Sequence, residues 1–306
     1  MKTAVLPSAV KSTTPAAPSR WADYLAITRP RISVLVLFTV GSGGLYAGLP
    51  TSAPWLLILN AVLGTALVAS GASAINQWLE RDTDALMLRT RKRPLPAGRV
   101  TLAEAFVFGL VLALLGAVYL LATMPTTLPA VLAAFTFASY IAVYTPLKRV
   151  TTLNTVIGAV PGAMPPLIGY AAVRGELSGE AWVLFAILFV WQIPHFLAIA
   201  WMYRDDYARA GLRMLPVADP QGAVTARQMV LYCLALLVTG LMPVMVGGAG
   251  WLYGLGSTLL AMYFLRSAVA FARQRDDALA KKAMRASLVY LPLVLLLLVL
   301  DRWING

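Results

Sequence analysis

Three groups of residues in this chain have types and spacings suited to chemistry. The first is Asn76, Glu80 and Asp84, four residues apart within Asn76-Gln77-Trp78-Leu79-Glu80-Arg81-Asp82-Thr83-Asp84. On a helix each such step drifts by about 40°, so one amide and two carboxylates share a face. An acceptor-rich stripe entering an apolar layer is costly unless something positive sits against it. Hard oxygen donors beside a cavity suit Mg²⁺, which keeps several waters and binds through a few carboxylates plus substrate phosphates. The alternative is a solvated helix end whose acids pair with Arg81 and Arg89. Asp82, about 240° from Asn76, falls on the solvent side.

The second group is cationic. Arg89-Thr90-Arg91-Lys92-Arg93 carries four cations in five residues. Alone it reads as a topology anchor against anionic lipid. Beside an acidic metal stripe it reads better as a diphosphate clamp, with metal on one side and guanidinium forks on the other. Lys148 and Arg149, in Tyr144-Thr145-Pro146-Leu147-Lys148-Arg149, add two cations at the same level.

The third group lies further along. Asp205 and Asp206 are adjacent and repel, which implies a cation or an arginine partner. His195, in Trp191-Gln192-Ile193-Pro194-His195-Phe196, is the only histidine. It precedes Asp206 by eleven residues, roughly 16 Å and about 20° around a straight helix. That register puts both side chains toward one cavity. An intramembrane histidine is a functional candidate, and a structural hydrogen bond to a neighbouring helix is the competing reading.

The elements that carry these groups are membrane spans. Of 306 residues, 59% are hydrophobic and 12% charged, about half the charge a soluble domain carries. The mean hydropathy is +0.75. Nine apolar segments are long enough to cross about 30 Å of hydrocarbon: 32–49, 54–75, 102–123, 128–144, 153–172, 181–202, 227–247, 249–270 and 286–303. With the N-terminus inside, the inner segments and their flanks hold 23 of the 25 Lys and Arg, all but Arg174 and Arg302. The positive-inside rule therefore accounts for the net charge of +12, and nucleic acid is not implied as a partner. Ten of the thirteen acids share that face, so lipid alone does not explain it, and function belongs there. A lone cysteine and a lone histidine exclude disulfide frameworks and His/Cys zinc sites. Residues 1–20 read as a polar, basic, disordered cytoplasmic tail, with a transit peptide as the lesser alternative. Residues 21–306 read as a single transmembrane domain.

The stripe Asn76…Glu80…Asp84, the Tyr144…Lys148 loop and the Asp205-Asp206 helix end resemble the intramembrane prenyltransferases of the UbiA superfamily. NQWLERDTDA with TRKRPLP, YTPLKR and WQIPHFLAIAWMYRDDYARAG are similar to its haem-farnesylating subgroup. Gln77 and Glu80 replace two acids of the superfamily's first motif, which fits that subgroup and argues against aromatic-acid acceptors. The resemblance implies an all-α bundle with a central cavity and a lid of inner loops, set in a bacterial inner membrane. It implies Mg²⁺ as cofactor, farnesyl diphosphate and haem B as substrates, haem O as product and haem A synthase as a downstream partner. On it, Asn76, Glu80, Asp84, Asp206 and Asp205 would serve the metal. Arg93, Lys148 and Arg149 would hold diphosphate, and His195 would contact haem. The rivals are an aromatic or chlorophyllide acceptor in the same metal site and, in another class, a transporter or channel. A transporter's acids should lie near the midplane and line a path to both faces.

Overall fold

The structure, a computed structural model, describes residues 19–49 and 54–305. The expected tail lies outside the described residues except for its last two: Ser19 caps the first helix and Arg20 opens it, paired with Glu104. In chain order the helices are α1 (Arg20–Ile27), α2 (Pro30–Gly48), α3 (Trp55–Leu79), α4 (Arg81–Leu86), α5 (Leu102–Thr123) and α6 (Leu128–Ala138). A π-helical stretch, Ser139–Tyr144, joins α6 to α7 (Thr145–Leu147). Then follow α8 (Asn154–Ala163), α9 (Pro165–Arg174), α10 (Gly179–Met202), α11 (Arg204–Arg209), α12 (Leu215–Ala218), α13 (Ala223–Met245), α14 (Trp251–Gln274) and α15 (Asp277–Asn305).

Nine helical stretches among the described residues are long and apolar enough to span a membrane, and they coincide with the nine expected segments. The chain is a multi-pass, all-α membrane protein. The main departure is the last span, which begins at Asp277 rather than near 286. Its first turns carry Lys281, Lys282 and Arg285 beyond the apolar stretch, while Ala280 and Ala283 stay buried against the bundle. One packed face is enough to keep a charged stretch helical.

The bundle presents leucines and valines outward, as on α5 at Leu110, Val111, Leu114, Leu115 and Val118, where lipid tails are the solvent. Between helices the chemistry inverts, and small residues allow close approach. A Cβ on Gly71 or Gly116 would overlap the backbone of the facing helix, so α3 and α5 pack backbone to backbone. That contact fixes α3, which carries Asn76. At the face away from the basic loops, two of the three acids, Glu180 and Asp301, have structural partners. Asp301 accepts from the Tyr253 backbone N–H, and Glu180 accepts from Tyr170 Oη at 3.0 Å and lies 3.4 Å from Arg302.

Candidate active site

A cavity of about 350 Å³ opens between α2, α3, α6, α8 and α10. Its depth is apolar and its charged mouth holds Arg29, Glu80, Asp84, Arg89, Arg93 and Lys148. The α3 helix ends at Leu79 and α4 restarts at Arg81. The four-residue register nevertheless survives the joint: Glu80 N–H donates to Asn76 O at 2.9 Å and Asp84 N–H to Glu80 O at 2.7 Å. Asp82 faces solvent as expected, with an 87% exposed side chain.

Glu80 and Asp84 do not pair with Arg81 and Arg89; only the exposed Asp82 lies near Arg81, at 3.9 Å. Lys148 Nζ donates to Glu80 Oε1 at 2.7 Å, and Arg93 Nη1 donates to Asp84 Oδ2 at 2.7 Å. Burial pushes the Glu80 carboxyl up, but Lys148, Arg29 and Arg93 outweigh it, and the group sits below the usual glutamate value. Burial works against the Lys148 charge too; Tyr144 and Glu80 hold it above the ordinary lysine value. Lys148 also lies over the Tyr144 ring, 4.5 Å from its centroid, a cation–π contact. The π-helical stretch widens the turn that presents Tyr140 and Tyr144 to the cavity, and such local π geometry recurs at functional sites.

Among the described residues six have buried polar atoms without a hydrogen-bond partner; two of them, Asn76 and Arg29, adjoin this mouth, and a third, Thr65, lines the cavity at its far end. Asn76 Nδ2 donates to Thr145 Oγ1 at 3.0 Å, which fixes the amide and leaves Oδ1 buried and unbonded. The bond to Thr145 orients the amide so that its free acceptor, Oδ1, lies on the register of Glu80 and Asp84. The second is Arg29, whose Nε and Nη2 are buried without acceptors. It sits at the α1–α2 joint with a left-handed backbone, φ 51°, a conformation costing about 1–3 kcal/mol in a non-glycine residue. Arg29 is not in the three groups singled out by sequence, and Arg89 appears there in the cationic clamp and as an alternative partner for the acids. Both line the cavity, and the signal that singles out Arg29 is its backbone strain, which a sequence does not display.

Other expected residues lie elsewhere. Asp206 does not line the cavity. Its carboxylate accepts from the backbone N–H groups of Leu88 at 3.1 Å and Arg89 at 3.3 Å, and it pairs with Arg209. Burial raises this carboxyl, but those bonds win and hold it below the usual aspartate value. Asp206 thus ties the basic loop to α11. Asp205 and Arg149 are exposed, outside the cavity wall. The expected common face of His195 and Asp206 fails because α10 stops at Met202 and α11 starts afresh at Arg204. Gln192 and Phe196 line the cavity, whereas His195 turns toward α15. Its Nδ1 lies 2.6 Å from Ser287 Oγ, and its ring stacks on Trp191. The Ser287 hydroxyl donates to Met284 O at 2.6 Å, so Nδ1 carries the proton and Nε2 the lone pair. Among the described residues, no three acidic, His or Cys side chains converge as a metal cluster.

A nine-span bundle with a cationic mouth over an apolar blind cavity defines a class of enzyme that handles a lipid-tailed anion inside the membrane. The UbiA prenyltransferase family profile matches residues 35–291, and the chain belongs to that family. Among full-length relatives, the protoheme IX farnesyltransferase of Solibacter usitatus is 48% identical over 92% of this chain and 98% of its own. That of Opitutus terrae is 46% identical over 95% and 98%. Among solved structures, digeranylgeranylglyceryl phosphate synthase superposes with a TM-score of 0.75 at 16% identity, covering 93% of this chain and 99% of that one. An Archaeoglobus fulgidus UbiA homologue bound to GPP and Mg²⁺ gives 0.60 at 15% identity, covering 90% and 99%.

Proposed function

We propose that this prenyltransferase joins farnesyl diphosphate to haem B and releases haem O. The observation that carries the reading is the cavity, whose mouth gathers four cations and two carboxylates while its depth is hydrocarbon-like. Near-half identity to protoheme IX farnesyltransferases along almost the whole chain supports the acceptor and the chain length.

Without ligand, Glu80 pairs with Lys148 and Asp84 with Arg93. The reading is an exchange of partners: Arg93, Lys148, Arg29 and Arg89 turn to the diphosphate, while Asn76 Oδ1, Glu80 and Asp84 take the metal. The orphaned Asn76 oxygen, aligned with two carboxylates, fits a hard divalent cation. Mg²⁺ bound there would neutralise the leaving diphosphate. Asp206, with Asp205 beside it, would come to the metal only after the Leu88–Arg89 loop moves. Arg149 would reach diphosphate from the rim.

The diphosphate leaves with the electron pair of the C1–O bond. The haem vinyl carbon supplies the pair for the new C–C bond, leaving positive charge on the neighbouring vinyl carbon. Water adds there and loses its proton, giving the hydroxyl. Lys148 and the arginines hold the leaving anion. The stacked Tyr140–Tyr144 pair faces the developing cation, and the apolar depth keeps other nucleophiles away. His195, with its lone pair on Nε2, would be the haem contact, holding the acceptor through its iron. The basic face is cytoplasmic, the membrane is the bacterial inner membrane, and haem O passes to haem A synthase.

The test is mass spectrometry of haems from membranes making the intact chain or Asp84→Asn. Haem O should appear only with the intact chain. Unmodified haem B, with farnesyl diphosphate and Mg²⁺ supplied, would sink the acceptor assignment.

A further inference from the structure

The cavity ends inside the protein. Its deep wall is Thr65 and Val68 of α3, Ala133 of α6 and Ile168 of α9. Thr65 precedes Glu80 by fifteen residues, so the floor lies about 22 Å below the charged mouth. Pro165 and Pro166 break the fifth span at Met164, and α9 continues beneath the cavity with Ile168 on the lining face. Further outward stand Ala61, Ala130 and Ala172, all buried and packed with Val68, Ala133 and Ile168 into one apolar cluster. Ile168 is the largest of the four floor side chains, and Ala172 follows it one turn on along α9.

The floor cannot sink. A Cβ on Gly43 would overlap the Pro166 carbonyl, and one on Gly169 would overlap the Val40 carbonyl. The α2 and α9 backbones are therefore in direct contact, and the helix carrying Ile168 is pinned.

We propose that Ile168 sets the length of prenyl chain this enzyme accepts. A diphosphate at the Lys148–Arg93 level followed by three isoprene units spans the distance to Ile168. A fourth unit adds close to one helical turn, ~5.4 Å, and meets the Ala61–Ala130–Ala172 plug. Ile168→Ala opens the space above Ala172, so the extra length is gained inside the protein. This inference rests on the proposed binding of an allylic diphosphate at the mouth.

The test uses the full chain in detergent with Mg²⁺ and the non-ionising thiodiphosphates of geranyl, farnesyl and geranylgeranyl chains, read as binding affinities. The intact chain should favour farnesyl over geranylgeranyl by about tenfold or more, and Ile168→Ala should erase that preference. Ala133→Leu fills the same end and should move the preference from farnesyl to geranyl. Equal binding of farnesyl and geranylgeranyl by the intact chain would overturn the proposal. So would an Ile168→Ala protein that binds farnesyl yet still rejects geranylgeranyl. If Ile168→Ala does not fold, an unchanged ratio in Ala133→Leu overturns it. No haem enters this assay. Failure to make haem O would sink the acceptor and leave the chain-length result standing, whereas no binding of any thiodiphosphate would sink the donor reading first.

Discussion

Removing the Lys148 ammonium while leaving Glu80 in place tests the exchange of partners most directly. At 2.7 Å the pair gains about 6 kcal/mol of Coulomb attraction at an effective dielectric near 20. Both side chains are nearly buried, at 13% and 12% exposure, and desolvation of each ion offsets most of that gain. The intact pair is therefore close to neutral for stability, but a lone Glu80 carboxylate is not. Breaking a buried pair costs about 3–5 kcal/mol. Arg29 and Arg93 stay nearby to soften the loss, which puts Lys148→Met near the lower end of that range. Glu80→Gln with Lys148→Met should recover most of it. Thermal unfolding in detergent without ligand reads these differences. A second readout separates this account from a packing defect. Mg²⁺ no longer competes with Lys148 for Glu80 in Lys148→Met, so the metal alone should raise the unfolding midpoint of the single variant more than that of the intact chain. A Lys148→Met protein as stable as the parent, or one indifferent to Mg²⁺, would refute the exchange.

Three further outcomes follow from neighbouring contacts. Arg29→Met should leave unliganded stability little changed, since it removes two buried N–H-bearing nitrogens that have no acceptor, yet weaken Mg²⁺–diphosphate binding by about 10–100-fold, as expected for lost charged hydrogen bonds; calorimetry with inorganic diphosphate checks it. Asp206→Ala should speed tryptic cleavage between Arg89 and Arg93 several-fold in the unliganded protein, because the Leu88 and Arg89 N–H groups lose their acceptor. Because the folded Asp206 carboxyl sits below its ordinary value, its contribution is fully present above the unfolded value of ~3.9 and is lost only as pH falls through the depressed folded value. Protection of the loop should therefore be flat from neutral to mildly acidic pH, and a loss beginning near pH 6 would contradict it. His195→Ala should abolish the shift of the haem Soret band on adding haem B without prenyl donor, and an unchanged spectrum would remove His195 as an axial ligand.

The fold was legible because the bilayer permits few solutions. Nine apolar runs and one-sided basic loops left little freedom, and only the start of α15 departed, where Ala280 and Ala283 give a charged stretch a face to bury. At the site, the Asn76–Glu80–Asp84 register was readable because it is local and survives a helix joint through two backbone hydrogen bonds. What failed was extrapolation past Met202. One residue of non-helical backbone at Tyr203 reset the phase, and Asp206 spent its carboxylate on the amides of Leu88 and Arg89. Those bonds join residues more than a hundred positions apart, and no periodicity announces them. Arg29 was similarly hidden, because its importance lies in a strained φ and two empty donors.

These two kinds of residue explain each other. A membrane site for a multiply charged anion has to survive empty, when its cations would repel and its carboxylates would lack metal. Pairing Glu80 with Lys148 and Asp84 with Arg93 solves that for four side chains at once. It also means that each pair must be broken before the ligand binds, which costs affinity. Arg29 Nε and Nη2 and the Asn76 oxygen meet the opposite need: none has a hydrogen bond to surrender, so each can engage an arriving anion or cation without breaking one. The paired residues keep the empty site stable, and the orphans give an incoming metal–diphosphate its first foothold. Arg29 and Asn76 should therefore control the rate of binding more strongly than its reversal, whereas Lys148 and Arg93 should do the converse.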